Sequence, residues 1–341
     1  MILQAIIHMV KNEQENAYYL YLIEKQKEFN TPTSIVDQEI KKASGSSPVS
    51  KSRLIEGEVN EVYDVVTENG QNIIVRISRK KHSTFQAEQW SINEARKVAV
   101  PAPDILLIDE IETETGNLIF LVERKIEGIS LEKLLDLIKA GESTIDARQL
   151  TIKAGGILSQ LHTISVPRIG RLDRDPKNAY RSWTDYMLRI FEREPEVTQK
   201  AIELGFNPDS VGITFDLIRK STPLFDLKEP KLLHGDFSAK HILVNGAEVS
   251  GIIDFENSMG GDPIYDFAWM NYFYDKDVPL EYLMEGYQNK EIFDEEFTRK
   301  INLYKIIFSL GFIDYFESMN NPIGLNRTKL RYERDLRYLQ P

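Results

Sequence analysis

The chain holds 341 residues, 42% hydrophobic and 28% charged, with a formal net charge of −11 and no cysteine. That length can bury two sizeable cores, and the lack of cysteine excludes disulfides and thiolate metal sites. The negative balance argues against nucleic acid or an anionic membrane as partner; it suits a cationic small molecule, and equally a plain acidic soluble protein.

The opening MILQAIIHMV is apolar but short, and it lacks the basic start and small-residue cleavage site of a signal peptide. No stretch approaches a membrane span, so the expectation is a soluble cytoplasmic protein. Residues 1–50 read as two short helical pieces. One is the apolar cluster from Tyr18 to Ile23; the other is a helix capped by Thr33 or Ser34 and running through Ile40. Ala43-Ser44-Gly45-Ser46-Ser47-Pro48 then reads as a linker or mobile loop. This first segment either packs on the neighbouring strand-rich region or mediates self-association, leaving monomer and homodimer both open.

From Arg53 the period changes to that of strands. Val62–Thr67 and Asn72–Ile77 flank the turn Glu68-Asn69-Gly70, and the connection before them contains Gly57. Taken alone, Gly57 marks an ordinary β-turn. A helix follows from about Thr84 to Lys97, capped by Thr84 or Ser83 and ended by Val100-Pro101-Ala102-Pro103. Strands at Ile105–Ile108 and Leu118–Val122 lead to Glu123-Arg124-Lys125. Beyond Gly128 the pattern is helical: Leu131–Ala140, Ala147–Leu161, a helix capped by Ser182 and running to about Leu204, and Asp209–Lys220. His162 reads as hydrogen-bonded scaffolding.

The most informative stretch is Lys231–Trp269, KLLHGDFSAKHILVNGAEVSGIIDFENSMGGDPIYDFAW. Apolar Leu232-Leu233 enters the polar turn His234-Gly235-Asp236, a second apolar run begins at Ile242, and Asn245-Gly246 reverses the chain. A third run, Val249–Ile253, ends on Asp254. Asp236, His241 and Asp254 can therefore converge. Such an arrangement suits phosphoryl transfer, where one carboxylate takes the acceptor proton and another holds magnesium on the donor phosphates. Asp262 and Asp266 read as loop-positioning or capping residues. Helices follow at Pro263–Tyr274, Leu280–Tyr287, Glu295–Glu317 and about Asn326–Leu339.

HGDFSAKHILV and IIDFENSMGGDPIYDFA resemble the two signature segments of the aminoglycoside phosphotransferase family, which is related to choline kinases. FQAEQWSINEARKVAVPAPDIL and GRLDRDPKNAYRSWTDYMLRIF resemble further family segments, so the likeness covers roughly residues 53–270. It implies an α+β fold, two-lobed and protein-kinase-like, with a small β-rich N-lobe and a large helical C-lobe. Residues 1–50 would be a helical extension, 51–123 the nucleotide-binding N-lobe, and 124–341 the C-lobe with catalytic loop and acceptor site.

The resemblance also implies roles. Asp236 is the catalytic base, Asp254 a magnesium ligand, and His241 the second metal ligand, in place of the commoner Asn. Arg76 stands where the strand cation grips the phosphates, and Glu88, rather than Glu94, is its helix partner. Gly57 belongs to the nucleotide-covering loop. Glu123-Arg124-Lys125 is the interlobe hinge whose backbone meets the base, with Leu121 and Ile126 lining the base pocket or simply packing. Mg2+ is the cofactor, and ATP or GTP the donor. The acceptor is a small-molecule hydroxyl, on an aminoglycoside or macrolide antibiotic or else on a metabolite of choline, homoserine or sugar type. A non-catalytic nucleotide-binding module is the remaining alternative, suggested by Arg76 and His241. Asp275, Asp277, Glu281, Asp314 and Glu317 are available to a cationic acceptor, although such residues usually form a solvated face. Trp269, Tyr272, Phe273, Tyr274, Phe312, Tyr315 and Phe316 suit a sugar or macrocycle, or core packing.

Overall fold

The computed structural model describes residues 20, 22–55, 59–79, 84–114, 116–173, 179–319 and 321–339. Gly57, Ser83 and the tyrosines at 18, 19 and 21 lie outside these. The chain divides into two compact units, residues 1–86 with 103–125, and residues 87–102 with 126–341.

The first unit is built on an antiparallel sheet of five strands: β1 (Pro48–Leu54), β2 (Glu61–Thr67), β3 (Asn72–Ser78), β4 (Ile105–Thr113) and β5 (Gly116–Arg124), in the order β1-β2-β3-β5-β4. Alternation sends Ile73, Val75 and Ile77 to one face, where they bury with Val65, Phe120 and Val122 against Val36 and Ile40. Those last two residues belong to the helix Thr33–Ser44. Neither Thr33 nor Ser34 caps it: Pro32 precedes its first residue, as its fixed φ allows. The expected linker is also absent. The helix runs on through Ser44, Gly45 closes it at φ 72° by donating to the Lys41 carbonyl, and β1 begins at Pro48. The opposite face carries Ile119 and Leu121 packed on Phe85, so Leu121 is core.

In the second unit three short strands, β6 (Ile129–Ser130), β9 (Ile242–Asn245) and β10 (Glu248–Ile252), make one sheet in the order β10-β9-β6. Asn245 pairs with Glu248 across a tight reversal in which Gly246 takes φ 59°. A second sheet joins β7 (Gly170–Arg171), β11 (Met259–Gly261) and β8 (Lys231–Leu233) in the order β7-β11-β8. Around them lie the helices Leu131–Lys139 and Ala147–Leu161, capped by Ser130 and Asp146, and Pro208–Lys220, capped by Asn207. Ser182 caps as expected, accepting from Asp185 N–H, but the helix it starts ends at Leu188. A 3-10 segment, Arg189–Arg193, intervenes before Glu194–Glu203, whose first turn contains Pro195. Proline lacks the N–H that a continuous helix would need there.

The helices Ile264–Tyr274, Leu280–Gly286, Phe297–Ser318 and Pro322–Leu339 complete the unit. Ala147–Leu161 and Leu280–Gly286 approach backbone to backbone. A Cβ on Gly155 would overlap the Leu283 carbonyl, and one on Gly286 the Ile152 carbonyl. Among the described residues no helix is long and apolar enough to cross a membrane.

Candidate active site

β8 delivers the chain into His234-Gly235-Asp236. Gly235 turns at φ 78°, and a Cβ there would overlap the Asn257 carbonyl, so only glycine fits. The buried Asp266 carboxylate holds the turn from below. One oxygen accepts Gly235 N–H at 2.9 Å, and the other accepts His234 N–H at 2.8 Å and faces His162 Nε2 at 3.1 Å. His162 Nδ1 lies 3.0 Å from the Tyr287 hydroxyl, which makes His162 the scaffolding its position suggested. Asp262 caps the next helix through Ile264 N–H at 3.1 Å and takes the Tyr304 hydroxyl at 2.7 Å and Lys300 at 2.6 Å. Both aspartates shape the site from beneath.

His234 Nδ1 accepts Asp236 N–H at 3.2 Å, so its proton sits on Nε2 and is donated to the Ile253 carbonyl at 2.9 Å. Burial, reinforced by neighbouring His241, lowers the His234 pKa to about 4, consistent with this neutral tautomer. The imidazole therefore ties the loop to the strand end that carries Asp254.

Asp236, His241 and Asp254 do come together. His241 Nδ1 donates to the Asp236 carbonyl at 2.9 Å and lies 3.6 Å from the Asp236 carboxylate. Its Nε2 faces the Asp254 carboxylate at 3.3 Å. With Nδ1 committed to the Asp236 carbonyl, Nε2 is the ring nitrogen left facing Asp254, and a shared cation would stabilise that pair. Among the described residues no group of three or more His, Asp or Glu side chains forms a closed metal cage. The Asp254 carboxylate nonetheless fits magnesium, which ordinarily keeps waters and substrate phosphates in its remaining positions, whereas the His241 imidazole is a softer donor than magnesium prefers. Asp254 holds a left-handed backbone, φ 68° and ψ 58°, that Asp tolerates better than most residues.

The Asp236 side chain is 23% exposed. Burial, with the charge of Asp254 adding to it, raises its pKa to about 6, while His241 and the hydrogen bond from Trp269 act the other way. Trp269 donates its indole N–H to Asp236 Oδ1 at 2.6 Å. From sequence, Trp269 stood only among the aromatics. The available signal was its spacing, one helical turn beyond Asp266, which already grips the loop. Arg171 secures the segment after Asp254 through the Glu256 carbonyl at 3.0 Å and the Asn257 side chain, and Ser91 meets Ser258 at 2.7 Å.

The remaining expected site residues sit on other elements. Arg76 is buried on β3, opposite Leu121, with its guanidinium 5.3 Å from the Phe85 ring centre. Glu88 is buried in the second unit, whereas Glu94 pairs with Lys97 at 2.6 Å nearer the surface. Glu123 is buried near the end of β5, and Lys125 pairs with Asp64 at 2.6 Å. Ile126 packs over Gly251. The acidic residues considered for a cationic acceptor are mostly engaged. Asp275 pairs with Arg334, Asp277 with Lys139, Asp314 with Arg193 and Lys200, and Glu317 with Lys200. Glu281 is exposed.

The phosphotransferase enzyme family matches this chain over residues 52–300, and the chain belongs to it. Hygromycin-B 4-O-kinase of Escherichia coli is 20% identical over 238 residues, 70% of this chain and 66% of its own length. Among solved structures, a thermostable mutant of aminoglycoside phosphotransferase APH(4)-Ia, in ternary complex with ADP and hygromycin B, superposes with a TM-score of 0.68 at 17% identity. That match covers 89% of this chain and 98% of the other. A fructosamine-3-kinase homologue from Thermobifida fusca gives 0.63 at 15% identity, covering 88% and 98%. At these identities the structures establish the fold: α+β, two-lobed and kinase-like.

Proposed function

We propose that this protein is a small-molecule O-phosphotransferase moving the γ-phosphoryl group of ATP or GTP to an acceptor hydroxyl. The observation that carries this reading is the convergence of Asp236, His241 and Asp254. Asp236, with one oxygen occupied by Trp269, keeps the other free to orient the hydroxyl and take its proton. Asp254, with His241 assisting, would hold magnesium, which when bound neutralises charge on the donor phosphates. Arg76 and Glu88 serve phosphate binding, and Gly57, Glu123 and Lys125 serve nucleotide binding.

The relatives' names favour an aminoglycoside antibiotic as first acceptor to test. A metabolite acceptor is the second reading, supported by the ion pairs that already occupy Asp275, Asp277, Asp314 and Glu317. The deciding experiment follows ATP and GTP consumption with magnesium against aminoglycosides, macrolides and hydroxyl metabolites. Asp236→Asn should lower turnover by roughly 10²–10⁴-fold while nucleotide affinity stays near wild type. Turnover at the wild-type rate in that variant would refute the assignment, and nucleotide binding without any transfer would favour the binding-module alternative.

A further inference from the structure

The helix Pro322–Leu339 carries Arg327, Arg331 and Arg334 along one face, at helical spacings of four and three. Arg331 is partly buried, with its guanidinium 5.0 Å from the Tyr272 ring centre and 4.7 Å from that of Phe273. Phe273 lies 5.4 Å from Trp269, whose indole N–H donates to Asp236. Two aromatic rings therefore separate Arg331 from the loop carboxylate. Burial and the Glu132 carboxylate, which accepts the Tyr274 hydroxyl at 2.7 Å, push the pKa of this next residue up; Asp236 adds a smaller push and Arg331 opposes it.

The charges on this side of the site do not balance. Arg334 pairs with Asp275 at 2.7 Å and with buried Asp335 at 2.7 Å, and buried Lys305 takes the same Asp335 at 2.8 Å. Among the described residues no carboxylate pairs with Arg331 or Arg327. Of these four cations, Arg334 and Lys305 hold Asp275 and Asp335, while Arg331 and Arg327 hold no carboxylate among the described residues, in a chain whose net charge is −11. Seating a guanidinium on aromatic faces without an anion leaves part of its desolvation uncompensated, since a ring quadrupole is a weaker partner than an oxyanion. A carboxylate or phosphate would meet the planar fork bidentately and complete it. A polycation would meet repulsion at the same place.

We infer that Arg331, with Arg327 beside it, reads an anionic group on the hydroxyl-bearing substrate, so that the acceptor is an acidic hydroxyl compound. The inference rests on the proposed role of Asp236 and selects the second reading, a metabolite acceptor, over the polycationic antibiotic. It makes Arg331 a specificity-determining residue and leaves the transfer chemistry to the loop.

The test titrates the full-length protein, with magnesium and AMP-PNP present, against glucose, glucosamine, glucuronate and glucose 6-phosphate by calorimetry. These share ring hydroxyls and differ in charge. Each is then offered with ATP and with GTP for phosphoryl transfer. The expected result is binding of glucuronate or glucose 6-phosphate at least about tenfold tighter than of glucose or glucosamine, as one charge-assisted contact gives. The two acidic arms distinguish carboxylate from phosphate. Arg331→Met should erase the preference and Arg331→Lys retain part of it. In turnover, Arg331→Met should raise KM for the acidic acceptor about tenfold with kcat little changed. Absence of an acidic preference, or a preference that survives Arg331→Met in a protein with wild-type melting temperature, overturns the inference. Failure of the underlying reaction looks different: Asp236→Asn would then leave turnover intact while Arg331 still governed binding.

Discussion

Replacing Asp266 by Asn exchanges one buried carboxylate oxygen for an NH2 group and alters no volume. The carboxylate accepts Gly235 N–H, His234 N–H and His162 from a fully buried position. An amide oxygen can serve one side, but its nitrogen must then point at an N–H that also donates. Each charge-assisted bond contributes about 1.5–3 kcal/mol, and one side loses it outright while the other weakens, so the cost is roughly 2–5 kcal/mol. Because the bonds end on the two residues just before Asp236, the loop should loosen together with the fold. The assay is urea unfolding of wild type and variant, with Glu285→Gln as a control that breaks only the exposed Arg148–Glu285 pair at 2.8 Å. The control should change stability by less than about 1 kcal/mol. An Asp266→Asn protein within about 0.5 kcal/mol of wild type would refute the reasoning, since so small a loss is inconsistent with buried, charge-assisted acceptors.

Other outcomes rest on the same geometry. Trp269→Phe removes the donor to Asp236 Oδ1 and should lower kcat about 10–100-fold, with nucleotide affinity unchanged, measured by steady-state kinetics and nucleotide titration. The raised Asp236 pKa, about 6 against an ordinary 3.8, means the folded protein favours the protonated acid; that advantage is full below pH 3.8 and is lost as pH rises through about 6. Without metal, Asp236→Asn should therefore be more stable than wild type at pH 8, by about 1–2 kcal/mol after allowing for partial exposure, and the gain should vanish near pH 4 in chelator-containing melts. For His234 the sign reverses. Its pKa is lowered to about 4, so the stability it contributes is present above pH 6.5 and lost as pH falls toward 4; His234→Gln should flatten that acid limb of the melting profile. Gly235→Ala should abolish turnover, because a Cβ would overlap the Asn257 carbonyl at a left-handed position.

What the sequence made legible was local. The Asn245-Gly246 reversal, the Ser182 cap and the alternation of Ile73, Val75 and Ile77 each depend on a few neighbouring residues, and each is found in the structure. The convergence of Asp236, His241 and Asp254 was legible for a related reason, since one hairpin fixes their separation. Contacts between distant segments were not. Ser44-Gly45-Ser46 reads as a linker unless one knows that Val36 and Ile40 press the preceding helix onto a sheet, where Gly45 becomes its cap. The bond from Trp269 to Asp236 depends on how a later helix is rolled. Asp275 and Asp314 looked available because their cations lie 59 residues onward, at Arg334, and on other helices, at Arg193 and Lys200.

The paired glycines at 155 and 286 work as a spacer gauge. The helices that meet there end in His162 and Tyr287, which touch one another, and His162 touches the aspartate beneath the loop. A methyl group at Gly286 would push the two helix ends apart, and the displacement would be handed along this chain of contacts toward Asp236. Positions with no access to any substrate would then register in kinetic screens as catalytic ones, and a map of activity-lowering substitutions would trace the alignment of two helices as faithfully as the outline of the pocket.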